Sequence, residues 1–244
     1  MTEVEDALPD TTRPDAGIAL ISQWTVHDRE RQVAAAEAAI AGWKHVPWPR
    51  GLLSHTCFAR SDGKTLLHYS QWEDDRAIAA FVGSDRPAWM RFVDEAAPGV
   101  QRDWAYASRL YRSMEPSNVL RQPGCIVVVS FETGGVEAQR NFVDALIDRV
   151  EQMAGVHHPG AISSRFHLSS DGTRIFNYSE WTTAEAHAEM LQTRLTADST
   201  LLRFIEGMPG VRPLGFERFV MLRSLARSPS TNALLQEAPD TPGR

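Results

Sequence analysis

Ser61-Asp62-Gly63-Lys64-Thr65-Leu66-Leu67-His68-Tyr69-Ser70-Gln71-Trp72 returns 109 residues later as Ser170-Asp171-Gly172-Thr173-Arg174-Ile175-Phe176-Asn177-Tyr178-Ser179-Glu180-Trp181. The likeness extends outward from both copies. Gly17-Ile18-Ala19-Leu20-Ile21-Ser22 answers Gly124-Cys125-Ile126-Val127-Val128-Val129, and Pro98-Gly99-Val100 answers Pro209-Gly210-Val211. Arg91-Phe92 and Arg112-Ser113 return as Arg203-Phe204 and Arg223-Ser224. A unit this long is a duplicated domain, since solenoid repeats have periods of roughly 20–50 residues. The boundaries expected are a first domain over 17–114, a linker over 115–123 and a second domain over 124–225. Residues 1–16 and 226–244, polar and proline-bearing, read as a disordered N-terminus and a disordered C-terminal tail.

Within each copy the order of elements is legible. Gly17–Thr25 and Cys125–Glu132 are short runs rich in Ile and Val and read as strands. Asp28–His45 and Val136–Ala154 have apolar residues at helical spacing, with Phe142, Leu146, Val150 and Met153 on one face. Two strands around Ser-Asp-Gly make a hairpin. Thr182-Thr183-Ala184-Glu185 reads as a capping box opening a second helix, and Asp74-Asp75 supply the acidic first turn in copy one. Tyr106–Met114 and Phe216–Leu225 are final strands. Each copy is thus β-α-β-β-α-β, giving an α+β chain of two tandem ferredoxin-like domains. Packed sheet to sheet, they would bury each other's second faces, so one chain makes what a homodimer would otherwise make.

Composition bounds the function. The chain has 244 residues, 25 basic against 31 acidic, and a net charge of −6, so no basic footprint invites nucleic acid. Cys57 and Cys125 fall at non-equivalent places, which argues against a disulfide framework. No apolar run approaches the roughly 20 residues of a membrane span, and the acidic N-terminus lacks the order of a signal peptide. A cytoplasmic protein, with no membrane partner, is expected. No phosphate-binding glycine loop or Gly-x-Ser-x-Gly elbow is present. His157-His158 lacks a Cys, His or carboxylate set at ligand spacing, so no metal is expected.

The strand, helix, hairpin and Asn/His-Tyr-Ser-x-Trp order resembles the antibiotic biosynthesis monooxygenase family of dimeric α+β barrels over residues 17–113 and 124–225. The resemblance implies an oxygenase acting with O2 on an electron-rich polycyclic aromatic polyketide, either an anthrone or an angucycline-type hydroquinone. It implies no tightly bound cofactor. In tandem members, reduced flavin (FMNH2 or FADH2) serves as a diffusible cosubstrate from a partner flavin reductase. The family pattern of Asn, Trp, Tyr and Arg falls here on Asn177, Trp181, His187 and Arg203, with His187 at the Tyr position and Arg203 displaced by about two residues. These four are the expected catalytic residues. In copy one the same places read His68, Trp72, Ile78 and Arg91, and His68, Trp72, Arg91 and His55 are the expected substrate-binding residues. The haem-degrading branch requires an Asn in the first strand and a His after the Trp, where this chain has Ser22 or Val129 and Val82 or Leu191.

Elementary chemistry reaches the same positions. Alternate residues of a strand share a face, so Ile175, Asn177, Ser179 and Trp181 point together, as do Leu66, His68, Ser70 and Trp72. A polar group between apolar neighbours needs a partner, and an oxygen-bearing aromatic ligand is one. His187 or His68 has the pKa range of a base. His55 and His167 sit at non-equivalent places on the preceding strand and should face different sides. Trp43, Trp48, Trp89 and Trp104 belong to copy one alone, which points to an aromatic pocket in that half. Two other readings fit the same fold, a non-oxygenative cyclase or isomerase and a non-catalytic small-molecule carrier. The two-domain chain is expected to be a monomer or a homodimer.

Overall fold

In a computed structural model of the chain, residues 3–115, 121–152, 158–194 and 199–227 are described. The elements run β1 (Glu3–Glu5), β2 (Ile18–Thr25), α1 (Arg29–His45), β3 (Leu52–Arg60), β4 (Thr65–Trp72), α2 (Asp75–Gly83), α3 (Arg86–Ala96) and β5 (Gln101–Met114). The second copy follows as β6 (Cys125–Thr133), α4 (Val136–Gln152), β7 (Ala161–Ser169), β8 (Arg174–Trp181), α5 (Ala184–Arg194), α6 (Thr200–Gly207) and β9 (Val211–Arg227). The tandem ferredoxin-like architecture is therefore the one observed.

Two details differ from expectation. The second helix of each copy is broken in two. In copy one the break precedes Pro87, in the first turn of α3, whose ring blocks a helix continuing through it. The cap of α5 is Thr183, whose hydroxyl accepts from the Ala186 amide at 3.1 Å, one residue later than the box read from the sequence. In α4, Phe142 and Leu146 are buried and Val150 packs beside them, while Met153 lies outside the described residues.

The strands close on themselves in the order β9-β3-β4-β2-β5-β7-β8-β6, with β6 returning to β9. Closure depends on the two long strands. β5 pairs with β2 through its first half and with β7 through its second, while β9 pairs with β6 and then with β3. Each copy thus lends the end of its last strand to the other, leaving no exposed edge between them. Pleat alternation sends Leu67 and Tyr69 of β4, and Phe176 and Tyr178 of β8, into the lumen, where they meet Ile21, Phe58, Ile126 and Phe219. The opposite faces carry Leu66 and Trp72, or Ile175, against the helices. Each buried large side chain contributes about 1.5–3 kcal/mol, so this shared lumen binds the copies into one folding unit.

The expectation of disorder over 1–16 is corrected for the described residues 3–16. β1 pairs with the end of β9, Leu8 packs against the lumen core, and Gln71 Nε2 donates to the Asp10 carbonyl at 2.7 Å. Arg13 is buried, ion-paired to Asp15 at 2.6 Å, and donates to the Leu53 carbonyl at 3.3 Å. These contacts stopper one end of the barrel. The tail begins later than expected, because β9 runs to Arg227; residues 228–244, and 116–120 of the linker, lie outside the described residues. No helix among the described residues is long and apolar enough to cross a membrane.

The repeated glycine that opens each copy has a steric cause. A Cβ on Gly17 would lie 2.3 Å from the Glu73 carbonyl oxygen, and one on Gly124 would lie 2.3 Å from that of Thr182. Their amides donate to the Trp72 and Trp181 carbonyls, both at 3.0 Å, which locks first strand to hairpin. Gly124→Ala is expected to destabilise the fold by about 1–3 kcal/mol through overpacking, read as a lower urea midpoint at unchanged slope; an unchanged midpoint would remove this explanation.

Candidate functional site

Copy one holds a cavity of about 210 Å³ between the sheet and helices α1–α3. Strand alternation builds its floor. His55 and Cys57 share one face of β3, and Cys57 stands opposite His68 of β4 in register. Trp72 and Ser70 continue that face, and Ser22 and Trp24 add a wall from β2. Trp43 of α1, Phe81 of α2 and Trp89 of α3 close over them, with the Trp43 and Trp89 rings stacked 4.7 Å apart. Arg86, Arg102, Trp104 and Ala105 also line the cavity, Arg86 and Ala105 being exposed.

Hydrogen bonding fixes the proton positions. The Trp43 indole donates to His55 Nδ1 at 2.8 Å, and His55 Nε2 lies 3.0 Å from His68 Nδ1. An indole only donates, so His55 Nδ1 carries a lone pair. Burial pushes the His55 pKa down to about 3 and that of His68 well below its usual value, with His55 and Arg102 adding to the latter, so both rings are neutral. His55 must then carry its proton on Nε2 and donate it to His68 Nδ1, which leaves His68 Nε2 protonated. That atom is buried and has no hydrogen-bond partner, and its ring lines the cavity. Arg102 Nε is likewise buried without a partner, although its Nη2 donates to Asp94 at 2.7 Å and its guanidinium lies 5.0 Å over the Trp24 ring. Two N–H donors with no acceptor therefore belong to residues lining one cavity, which suits a ligand bearing oxygen. In this tautomer His68 is a donor, so the base role expected of it from the sequence does not fit.

His55, Cys57 and His68 also come close enough to suggest a metal centre, with Cys57 Sγ 3.3 Å from His68 Nδ1 and 3.8 Å from His55 Nε2. The donor set does not fit one. A metal on His55 Nε2 would move that ring's proton to Nδ1, facing the indole N–H at 2.8 Å. Burial also pushes the Cys57 thiol pKa up, away from the thiolate a metal requires. Trp43→Phe is expected to release the chain from its single tautomer. Losing one hydrogen bond should weaken binding of a phenolic ligand up to about tenfold, and the His68 ring ¹⁵N shifts should change from one protonated nitrogen to a mixture. Unchanged shifts would show that Trp43 does not set the tautomer.

The second copy has these places filled. Phe166 stands opposite Asn177 where copy one has Cys57 opposite His68, and it is packed in the helix-side core. Asn177 accepts from the Ser179 hydroxyl at 3.0 Å. Trp181 is buried against Cys125 and Val127. His187 is buried, with its ring 4.9 Å from Trp181 and 5.0 Å from Phe216, and its Nδ1 accepts from Arg218 Nε at 3.0 Å. Burial, then the Arg218 charge, lowers its pKa to about 4. Arg203 is exposed on α6, so the structure does not bring the four expected catalytic residues into one pocket. Arg91 is exposed on α3 and does not line the cavity. His68, Trp72 and His55 do line it together. His167, by contrast, faces the lumen, where its Nε2 lies 3.1 Å from the Tyr69 hydroxyl. His158 lies 3.5 Å from Glu189, and His157 lies outside the described residues. Sequence reasoning missed Trp24 and Arg102. Trp24 carried a signal, because it alternates with Leu20 and Ser22 on the first strand. Arg102 did not, because a bulge between Gln23 and Trp24 shifts its register.

No family model matches the chain. Tetracenomycin-F1 monooxygenase of Streptomyces glaucescens is 42% identical over 45 residues, 18% of this chain, and the match spans 39% of that protein's length. Among solved structures, an anthrone oxidase-like protein superposes with a TM-score of 0.63 at 14% identity, covering 86% of this chain and 93% of its own. A Fusobacterium nucleatum protein provisionally named a monooxygenase gives a TM-score of 0.55 at 11% identity, covering 88% and 97%. At these identities the two structures speak for the fold, which is the tandem α+β barrel that the sequence resemblance implied.

Proposed function

We propose, from the premise that this chain is a tandem barrel of the antibiotic biosynthesis monooxygenase type, that it is an oxygenase whose substrate is an electron-rich polycyclic aromatic polyketide, bound in the copy-one cavity. The observation that carries this reading is the buried, unpartnered His68 Nε2–H in a cavity walled by Trp24, Trp43, Trp72, Phe81 and Trp89. At about 210 Å³ the cavity is smaller than the roughly 300–1,000 Å³ of ordinary ligand pockets. It therefore takes the oxygen-bearing edge of a polycycle, with the remaining rings passing out beside Ala105.

The chemistry follows from what these groups can stabilise. A ring carbonyl accepting from His68 becomes an enolate when the CH2 across the ring gives a proton to water, a proton that later returns to the peroxide, and the hydrogen bond strengthens as negative charge develops. The Arg86 guanidinium on the lining favours the same charge, while that of Arg102 is already paired with Asp94 at 2.7 Å and offers its Nε–H. An electron-rich enolate can pass one electron to O2, after which the radical pair joins as a hydroperoxide. Loss of water then leaves a new carbonyl, so that a CH2 group and O2 become C=O and H2O with no other reductant. The aromatic walls exclude bulk water from this exchange.

The test is product analysis under labelled O2, with an anthrone and an angucycline-type hydroquinone, each with and without reduced flavin. Label entering the anthrone product without flavin supports the reading as stated. Label only with reduced flavin would keep the oxygenase and require a reductase partner. Binding without turnover in every arm would replace it with a carrier.

A further inference from the structure

We propose that the open mouth of the barrel is a second binding site, sharing Trp104 alone with the lining of the cavity beneath α1–α3, and that it takes a planar aromatic anion. The strand directions make the barrel axis a pseudo-twofold axis, since β2 and β6 run the same way at equivalent places in the two copies. Residues 3–16 stopper one end, and the other end holds a cavity of about 370 Å³ on that axis. In a homodimer, two identical walls would meet there. Here Trp104 stands opposite Gln23 in register, whereas Gly215 stands opposite Ser130 at the matching place. A Cβ on Gly215 would meet nothing within 4 Å, so the space facing the indole is open. Duplication has thus let one wall become aromatic while the other receded.

The chemistry of the lining names the ligand class. Trp104 stacks on the buried Phe176 at 5.4 Å and 18°, which holds the half-buried indole as one flat wall for a planar ring. Two guanidiniums, Arg60 and Arg174, and one carboxylate, Glu217, line the mouth. Arg60 is paired with Glu217 at 2.5 Å and lies 3.6 Å from Asp62, whereas Arg174 has the Thr173 carbonyl at 2.9 Å, the Tyr106 ring at 5.5 Å and a carboxylate, Glu132, only at 3.9 Å. Arg174 therefore has charge available for an acidic group on the ring. The inference stands whether or not the first cavity is catalytic.

Calorimetric titration with 3-hydroxy-2-naphthoate, and with neutral 2-naphthol for comparison, tests it. Ser22→Phe fills the first cavity and is expected to leave one equivalent of naphthoate binding. Arg174→Met should weaken the naphthoate by about 10-fold or more, from loss of a charge-assisted hydrogen bond, and the naphthol much less. Ser130→Phe should abolish that equivalent. Both mouth variants are also made in the otherwise native chain, so the test survives if Ser22→Phe does not fold. No naphthoate binding to the native chain, loss of all binding in folded Ser22→Phe, or indifference to Ser130→Phe would overturn the proposal.

Discussion

His68→Leu is expected to lower turnover of an anthrone by about 10²–10³-fold, the usual cost of removing one donor to a developing oxyanion. Asn177→Leu, the same change at the equivalent position of copy two, should alter it by roughly twofold or less. The contrast rests on environment and not on motif. His68 has a free Nε2–H and lines a cavity, whereas Asn177 is bonded to Ser179 and has Phe166 opposite it. His68→Leu also strips His55 Nε2–H of its acceptor, at about 1–3 kcal/mol of stability, so thermal unfolding must show that the variant is folded at the assay temperature. His68→Gln provides the second check, because its amide can accept from His55 and donate to the ligand, and it should recover part of the lost rate. Equal losses at positions 68 and 177 would place the chemistry in both copies or in neither.

Acid is expected to weaken the fold steeply below neutrality. Burial pushes the pKa of His55 down to about 3, that of His167 to about 4 and that of His68 well below its usual value. A ring held neutral in the fold but free to protonate when unfolded stabilises the fold fully above about pH 6.5, and that contribution falls as pH drops toward the folded-state pKa. At pH 5 the His55 and His167 rings should each cost about 2 kcal/mol relative to pH 7.5, about 4 kcal/mol together, with His68 adding in the same direction. That is a large part of the roughly 5–15 kcal/mol by which domains are usually stable. Urea unfolding at the two pH values checks the expectation. A stability difference under about 2 kcal/mol would mean that these rings are not held neutral.

The barrel was legible because its signals are local and doubled. The glycine that opens each copy, the Ser-Asp-Gly turn and the alternating hairpin strands each specify short-range geometry, and each occurs twice. The N-terminal segment was misread because its order comes from distant partners. Arg13 reaches Leu53, and Ser224 donates to the Ala7 carbonyl at 2.7 Å. Nothing in a polar, proline-bearing stretch announces such contacts. The site was legible as a strand face but not as a choice between copies. Asn177, Trp181 and His187 follow the family motif more closely, yet two residues outside it support the proposed copy-one site. Phe166 packs in the helix-side core of copy two where copy one has Cys57, and Trp43, an α1 residue, fixes the proton of His55. Arg203 and Arg91 have the right charge, but they lie on exposed helix faces away from the cavity.

The most direct measurement is a crystal structure of the protein with a hydroxyanthraquinone product bound. The ligand is predicted to enter the copy-one cavity between Trp24, Trp72 and Trp89, with a ring oxygen within hydrogen-bond distance of His68 Nε2. A ligand seated against Asn177 and His187, or a copy-one cavity left empty while the ligand binds elsewhere, would contradict the account.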